Sequence, residues 1–341
     1  MARRPTPRQR IDALLDRLEP GLRRAFMDAV NDIRSRAELG RIVERLEVGD
    51  IEGALRSLHI DRAAFGVFED EIRQAFTEGG RDAAEQLPRV PDLGGGRLVL
   101  RFDARNPRVE RILADHSATL VTRIIDDMRQ ASRQVLAAGQ VAGSNPRITA
   151  LDLIGRVSRA SGRREGGILG LTAQQEGYLA SARAELLSGD PAAMRNYLTR
   201  ERRDRRFDRQ VAAAIREGRA LTRIQVSKIT GRYSDRLLQL RGEAVARTET
   251  LSALNAGKHE AAEQMIEQSG IDRQTVTKVW RATRDGRTRD SHASLNGQTV
   301  GMDARFSNGL LYPGEPGAPA AEIVNCRCTP IYRVDHLSGL T

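Results

Sequence analysis

The sequence predicts a mainly α protein: an elongated helical N-terminal and middle region, then a small α+β, hairpin- and loop-rich C-terminal domain. Apolar residues recur at a spacing of three and four in residues 11–88, from about 106 to 139 and from about 148 to 268, which is the period of an amphipathic helix. Aromatic residues make up only 4% of the 341 residues, and this favours aliphatic helix cores over a large β-sandwich. β-like runs and turn-forming pairs become frequent only after Gly270.

The N-terminal part divides into a tail and a helical region. Residues 1–10 are rich in arginine and proline without apolar periodicity, and we expect a basic tail there. Residues 11–90 follow as a helical N-terminal region that begins with Ile11, Leu14, Leu15 and Leu18 at helical spacing. The segment Leu87–Arg97 contains two prolines and three consecutive glycines, which predicts a linker.

Residues 91–270 form the predicted middle region, an elongated helical bundle. Asn106 and Pro107 have the cap and first-turn chemistry of a helix start, and the apolar pattern that follows ends near Gly139. The pair Asn145-Pro146 predicts a second helix start. The mixed charges of Arg200–Arg209 favour an exposed helix laced by ion pairs; a partner-binding or phosphate-facing surface is the alternative.

Residues 271–341 form the predicted C-terminal domain. Thr275–Trp280 is a β-like run, and Cys328–Val334 is a candidate last strand. Three pairs between them are typical of tight turns: Asp285-Gly286, Asn296-Gly297 and Asn308-Gly309.

The charge balance indicates candidate partners. Lys and Arg total 55 against 45 acidic residues, a formal charge of +10 that is carried almost entirely by arginine. Guanidinium groups bind phosphates and carboxylates in a bidentate fork, so DNA and acidic protein surfaces are candidate partners, with ordinary solvated charge as the alternative. In the N-terminal tail, the candidate nucleic-acid contacts are Arg3, Arg4, Arg8 and Arg10.

The location of the protein is constrained by what the sequence lacks. The first ten residues contain no apolar segment, so we expect no secretory signal. There is no run of about 20 apolar residues, so we expect no membrane span. The two cysteines do not make a disulfide framework. These features favour a reducing cytoplasm or a particle assembled in it.

The C-terminal domain concentrates metal-binding residue types. Cys326 and Cys328 form a Cys-x-Cys pair, and with His292 and a fourth ligand they would suit tetrahedral Zn²⁺ as a structural staple. Asp285 is the candidate fourth ligand, and His336 is the alternative. Two other interpretations remain open: packed cysteines beside a hydrogen-bonded histidine, and a Cys/His catalytic site of hydrolase or nuclease type.

A second cluster precedes this domain on a predicted helix. Glu243 and Arg247 are four residues apart and can pair on one helix face, and Glu249 with Thr248 can meet the following domain. We interpret Glu243, Arg247 and Glu249 as a structural clamp rather than an active site. The Gly94–Gly96 run lacks the lysine and hydroxyl residue of a phosphate-binding loop.

Residues 245–333 resemble the C-terminal region of the Mu F-like, or SPP1 gp7-like, phage head morphogenesis family. Each matching motif is short, but their order and spacing are specific. The motifs are Ala246–Thr250, Trp280–Asp285, Arg289–His292, Leu295–Gly297, Phe306, Tyr312–Gly314 and Asn325–Cys328. Upstream, Gly170–Gln175 and Arg203–Asp208 are also similar to these proteins, whereas the first 90 residues carry little of the resemblance.

The resemblance implies a minor capsid protein of a tailed bacteriophage or prophage rather than an enzyme. Such a protein would act in procapsid assembly at the portal vertex inside the capsid, after synthesis in the host cytoplasm. The implied partners are the portal protein, the major capsid or scaffolding protein, and packaged double-stranded DNA during packaging or ejection. A free basic DNA-binding protein and a Cys/His-dependent enzyme are the alternative functions.

Overall fold

A computed structural model describes residues 5–88, 90, 96, 99–283 and 285–335. They form two compact units, each built from separate stretches of the chain. Unit 1 combines Met1–Ala25, Val67–Thr119 and Glu243–Thr341, and unit 2 combines Phe26–Gly66 and Leu120–Gly242. Both units thus join stretches that the sequence analysis assigned to different regions; the boundaries at residues 10, 90 and 270 stay predictions about sequence organisation.

The described residues are predominantly helical, which confirms the predicted fold class. The helices are α1 (Pro7–Arg36), α2 (Leu39–Glu47), α3 (Ile51–Arg56), α4 (Gly66–Gln86), α5 (Pro107–Val141), α6 (Pro146–Ile154), α7 (Ala173–Leu187), α8 (Pro191–Thr199), α9 (Asp208–Arg216), α10 (Arg223–Ser269), α11 (Asp290–Ser294) and α12 (Ala320–Ile323). The strands are β1 (Arg156–Val157), β2 (Arg164–Glu165), β3 (Val276–Arg281), β4 (Thr299–Gly301) and β5 (Thr329–Val334). Within the described residues, each helix is too short or too polar to cross a bilayer.

The two asparagine-proline pairs start helices as predicted. The Asn106 side chain accepts a hydrogen bond from the Arg108 N–H at 2.8 Å, and α5 runs from Pro107 to Val141. Asn145 accepts from the first free N–H groups of α6 in the same way. A proline in the first turn costs no hydrogen bond, because the N–H it lacks has no partner inside the helix.

Unit 1 contains a three-stranded antiparallel sheet of order β4-β3-β5. β3 pairs with β5 from Val276↔Val334 to Arg281↔Thr329, so both strands predicted after Gly270 are confirmed to within one residue. One face of this sheet packs on α10. The shared core contains buried residues of both the helix and the sheet region: Ala262, Met265, Ile266, Val276, Met302 and Tyr332.

The structure corrects the sequence analysis at the start of the chain. Residues 7–10 of the predicted tail are helical, because Thr6 and Gln9 form a reciprocal capping box around the proline at the start of α1. The Thr6 N–H donates to Gln9 Oε1 at 2.8 Å, and the Gln9 N–H donates to Thr6 Oγ1 at 3.2 Å.

The Arg200–Arg209 stretch is also corrected. It is a loop with a short 3₁₀ turn at Arg205–Phe207 before α9 begins, not a continuous exposed helix. The predicted ion pairs are present, but they stabilise the loop: Arg203 binds Asp208 at 2.9 Å, and Asp204 binds Arg206 at 2.6 Å. Asp204 caps the 3₁₀ turn by accepting from the Arg206 N–H. This local hydrogen bond competes with those of a continuous helix.

Candidate metal centre

Three of the predicted ligands converge in unit 1. His292 lies in α11, Cys326 follows α12 after a short turn, and Cys328 directly precedes β5. The His292 Nδ1 atom is 3.5 Å from Cys326 Sγ and 3.6 Å from Cys328 Sγ, and the donor atoms lie within 4.8 Å of one another. Two sulfurs and one imidazole nitrogen are the donor set that suits Zn²⁺, whereas Ca²⁺ and Mg²⁺ prefer oxygen.

The backbone at Asn325 allows both sulfurs to face the same point. Asn325 has a φ of 55°, a left-handed conformation that asparagine tolerates better than most residues. Its N–H donates to Thr248 Oγ1 of α10 at 3.0 Å, which fixes the turn on the long helix. The Cys326 sulfur then accepts from the Cys328 N–H at 3.4 Å.

The three predicted ligand side chains are buried, and they shift one another's pKa values. His292 is 1% exposed, and each cysteine is 2% exposed. The pKa of Cys326 is lowered to about 5, chiefly because the Cys328 thiol donates a hydrogen bond to its sulfur and further because His292 is adjacent. The same hydrogen bond, together with burial, raises the pKa of Cys328. A thiolate at Cys326 is therefore favoured, and the thiolate is the form that binds metals.

The outer nitrogen of His292 is also held. His292 Nε2 hydrogen-bonds Glu322 Oε2 at 2.9 Å, and the same carboxylate oxygen accepts from Asn308 Nδ2 at 2.8 Å. Burial opposes a charged His292 ring, but the hydrogen bonds to Cys326 and Glu322 outweigh it and raise its pKa. A carboxylate behind a ligating imidazole fixes the tautomer and the ring orientation, as at many zinc sites.

The predicted fourth ligand, Asp285, does not join this group. Its carboxylate pairs with the Arg327 guanidinium and accepts from the Arg287 N–H at 3.1 Å and the Thr288 hydroxyl at 3.2 Å. Arg327, the residue between the two cysteines, thus supplies the positive charge that pairs with the Asp285 carboxylate. The alternative ligand, His336, lies outside the described residues.

Buried polar residues of α10 hold the cysteine segment. Asn255 Nδ2 donates to the carbonyls of Pro313 at 2.8 Å and Cys328 at 2.9 Å, and Asn255 Oδ1 accepts from the Thr329 hydroxyl at 3.0 Å. Ser252 donates to the Gly314 carbonyl at 2.6 Å. Neither residue belongs to a sequence motif that predicts a site. Their position within two turns of the Ala246–Thr250 motif, on the same helix, is the signal that would have indicated them.

The predicted clamp residues take different partners. Glu243 contacts Arg23 at 3.5 Å, and Arg247 contacts Glu19 at 3.6 Å. The expected ion pair between Glu243 and Arg247 is absent from the described part of the chain, because α1 presents an opposite charge to each of them.

The third clamp residue, Glu249, is buried. It lies 3.2 Å from His116 Nε2, which is ion-pair distance, although that nitrogen has no partner in hydrogen-bond geometry. The preceding residue, Thr248, meets the C-terminal region through Asn325, as expected.

The predicted DNA-contacting arginines divide into two groups. Arg8 pairs with Asp12 at 2.6 Å and donates to the Arg327 carbonyl at 3.2 Å. Arg10 pairs with Asp82 at 2.8 Å and with Glu85 at 2.6 Å. Arg3 and Arg4 lie outside the described residues.

Comparisons with known proteins find similarity in the part of the chain that contains these residues. Residues 205–331 match the family described as Phage Mu protein F like protein. The chain is 36% identical over 95 residues to Minor head protein GP7 of Bacillus phage SPP1. That alignment spans 26% of this chain and 29% of the relative, so the chain matches less than a third of the relative's length. No solved structure matches.

The match over residues 205–331 confirms the resemblance that the motifs of this region indicated. The matched region contains all three converging ligands and the α10 residues that hold them.

Proposed function

We propose that this protein is a minor head protein of a tailed bacteriophage or prophage and acts in head morphogenesis. The observation that carries the proposal is the match of residues 205–331 to the Mu F-like family, together with the 36% identity to a minor head protein. We further propose that it binds the portal vertex inside the capsid, with the portal protein and the major capsid or scaffolding protein as partners. This location implies assembly in the host cytoplasm and residence in the virion.

Deletion of the gene from the phage or prophage tests this role. We expect head-assembly defects that a plasmid copy restores, and we expect the wild-type protein to sediment with procapsids and virions. A pull-down of the full chain on purified portal protein tests the finer proposal. Particles of normal number and infectivity from the deletion phage would contradict the head role, whereas a failed pull-down alone would contradict only portal binding.

We propose that His292, Cys326 and Cys328 hold a structural Zn²⁺. The convergence of two sulfurs and an imidazole nitrogen supports the fit, and the Glu322 carboxylate supports the ring orientation that a ligating histidine needs. When bound, the ion would crosslink α11 to the segment before β5. This is the kind of staple that a small domain with a modest core uses.

Metal analysis of the purified full chain tests this centre. We expect about one equivalent of zinc, its loss in Cys326→Ser, and a lower unfolding temperature in that variant. Wild-type protein without zinc after purification in zinc-supplemented medium, or Cys326→Ser with full zinc and full stability, would contradict the proposal.

A structural role is better supported than a catalytic one. Both sulfurs and the imidazole are at most 2% exposed, so a substrate would need the loop to open before it reached them.

The alternative of a free DNA-binding protein rests on net charge alone. We nevertheless propose that DNA contacts, if made inside the capsid, involve Arg3, Arg4, Arg8 and Arg10, with Arg8 and Arg10 already partly neutralised by carboxylates.

A further inference from the structure

A groove in unit 2 is lined by exposed aliphatic side chains. It has a volume of about 730 Å³ and is lined by α6, the β1–β2 hairpin, the end of α7 and the start of α10. Four exposed aliphatic side chains of the described residues line it: Ile148, Val157, Leu187 and Ile224. Ile224 is 84% exposed and Val157 is 62% exposed. Clustered exposed aliphatic side chains are typical of a protein–protein contact.

The walls of the groove are fixed by short backbone contacts. Gly166 has a φ of 72°, and a side chain added there would meet Gly231 of α10 at 3.0 Å. The Gly166 N–H donates to Asp235 Oδ1 at 2.7 Å, which anchors the hairpin to the same helix. The groove is therefore preformed, and a partner would not need to order it first.

The charge of the groove is positive. Its lining holds five basic side chains, Arg156, Arg183, Arg223, Lys228 and Arg232, against three acidic ones, Asp152, Glu165 and Asp235. The acidic groups are already shared among the arginines: Asp152 binds Arg156 at 3.1 Å and Arg183 at 2.9 Å, and Glu165 binds Arg232 at 2.9 Å.

Two cations of the groove remain available for a partner. Within the described part of the chain, Arg223 and Lys228 have no carboxylate within ion-pair distance, although Lys228 Nζ lies 5.9 Å from the centre of the Phe207 ring. Both lie on α10 beside the most exposed of the four aliphatic residues, Ile224.

We propose that this groove is a docking surface for an acidic amphipathic helix of a partner protein. The aliphatic residues would cover the apolar stripe of such a helix, and Arg223 and Lys228 would face its carboxylates. Charge complementarity selects the acidic partner. Nucleic acid is the weaker fit, because phosphates and sugars would leave the aliphatic side chains in contact with polar groups. The proposal does not depend on the metal centre.

Binding of two model peptides to the full chain tests the proposal. One is a helical leucine/glutamate peptide with leucines at amphipathic spacing, and the other carries lysines in place of the glutamates. We expect fluorescence anisotropy to show binding of the acidic peptide that is about tenfold tighter or more than that of the basic one. Ile224→Asp should weaken acidic-peptide binding by about tenfold or more. Arg223→Glu combined with Lys228→Glu should reverse the preference.

Val141→Asp is the matched control, because Val141 is 91% exposed in unit 2 but does not line the groove. It should leave peptide binding unchanged. The proposal is overturned if both peptides bind equally, if neither binds, or if Val141→Asp weakens binding as much as Ile224→Asp. It is also overturned if a short DNA duplex binds more tightly than the acidic peptide and loses that affinity when Arg223→Glu is combined with Lys228→Glu, since the groove would then be a nucleic-acid site.

Discussion

The Asn255 side chain on α10 donates a hydrogen bond to the Cys328 carbonyl at 2.9 Å. The same amide donates to the Pro313 carbonyl, and its oxygen accepts from Thr329, so Asn255 uses both ends of its side chain while fully buried. This contact joins the helix of the Ala246–Thr250 motif to the segment that carries both cysteines. The motifs of the family region are therefore linked through one buried amide.

Replacement of Asn255 by Ala should destabilise unit 1. Two buried carbonyls, those of Pro313 and Cys328, would lose their donor, and unsatisfied buried groups of this kind cost about 2 to 4 kcal/mol together. Chemical denaturation of the purified chain measures the loss. Asn196→Ala, at an exposed position of α8, should change the free energy of unfolding by less than about 0.5 kcal/mol. Equal small effects of both variants would show that the amide contributes little.

The sequence predicted the elements whose signals are local. The cap and proline of α5 and α6, and the β-branched runs of β3 and β5, are complete within a few residues, so the pattern alone located them. The convergence of His292 with Cys326 and Cys328 was also predictable, because zinc-type donors are rare in this chain and occur together only after residue 290.

Contacts between distant residues explain what the sequence did not predict. The Asn308-Gly309 pair predicts only a turn, and no local signal marks Glu322; both matter because folding brings them to the outer nitrogen of His292. Asp285 was a plausible ligand by type, but Arg327 competes for it across 42 residues of sequence. The β1–β2 hairpin, with two-residue strands, is too short for any periodic signal.

Glu322→Gln should weaken metal binding without removing a ligand. The amide can still contact His292 Nε2, but it lacks the negative charge that orients and polarises the ring. Loss of such an outer carboxylate typically costs about 10- to 100-fold in metal affinity. Competition with a chromogenic zinc chelator measures the change in the full chain. Asp290→Asn is the matched control, since Asp290 is an exposed carboxylate on the same short helix as His292.

The chelator competition decides whether Glu322 positions His292 for metal binding. If zinc affinity falls in Glu322→Gln and is unchanged in Asp290→Asn, Glu322 is a positioning residue for the ligand. If both variants keep wild-type affinity, the hydrogen bond at 2.9 Å has no role in metal binding.

Removal of Arg3 and Arg4 together should lower the affinity for duplex DNA. We expect the slope of log affinity against log salt to decrease by about 0.9 for each DNA phosphate that the variant no longer neutralises. Arg8→Ala and Arg10→Ala should lower stability as well as DNA affinity, since these side chains also bind Asp12 and Asp82. An unchanged salt slope in the Arg3/Arg4 variant would rule out the proposed tail contacts. Arg209→Ala combined with Arg216→Ala removes the same charge from α9 and is the matched control.

His259 creates a pH dependence in the core of unit 1. Its Nδ1 lies 3.0 Å from the Tyr332 hydroxyl, its ring packs 4.8 Å from that of Tyr312, and its Nε2 lies 3.6 Å from Glu263. Burial is the main cause that lowers the pKa of His259 to about 3, and the nearby cations Lys278, Arg273 and Arg108 lower it further, whereas Asp303 opposes them.

Stability should therefore fall as the pH falls below about 6.5, the pKa of an unfolded histidine. The unfolded chain takes up a proton there, while the folded chain keeps His259 neutral until the pH approaches 3. Between about pH 7.5 and pH 5 the expected loss from this one group is about 2 kcal/mol. Urea denaturation at the two pH values measures this loss. In His259→Gln, whose side chain can still hydrogen-bond Tyr332, the free energy of unfolding should fall by about 2 kcal/mol less between these pH values than in the wild type. Identical losses in the variant and the wild type would mean that His259 takes up its proton over the same pH range in the folded protein as in the unfolded chain.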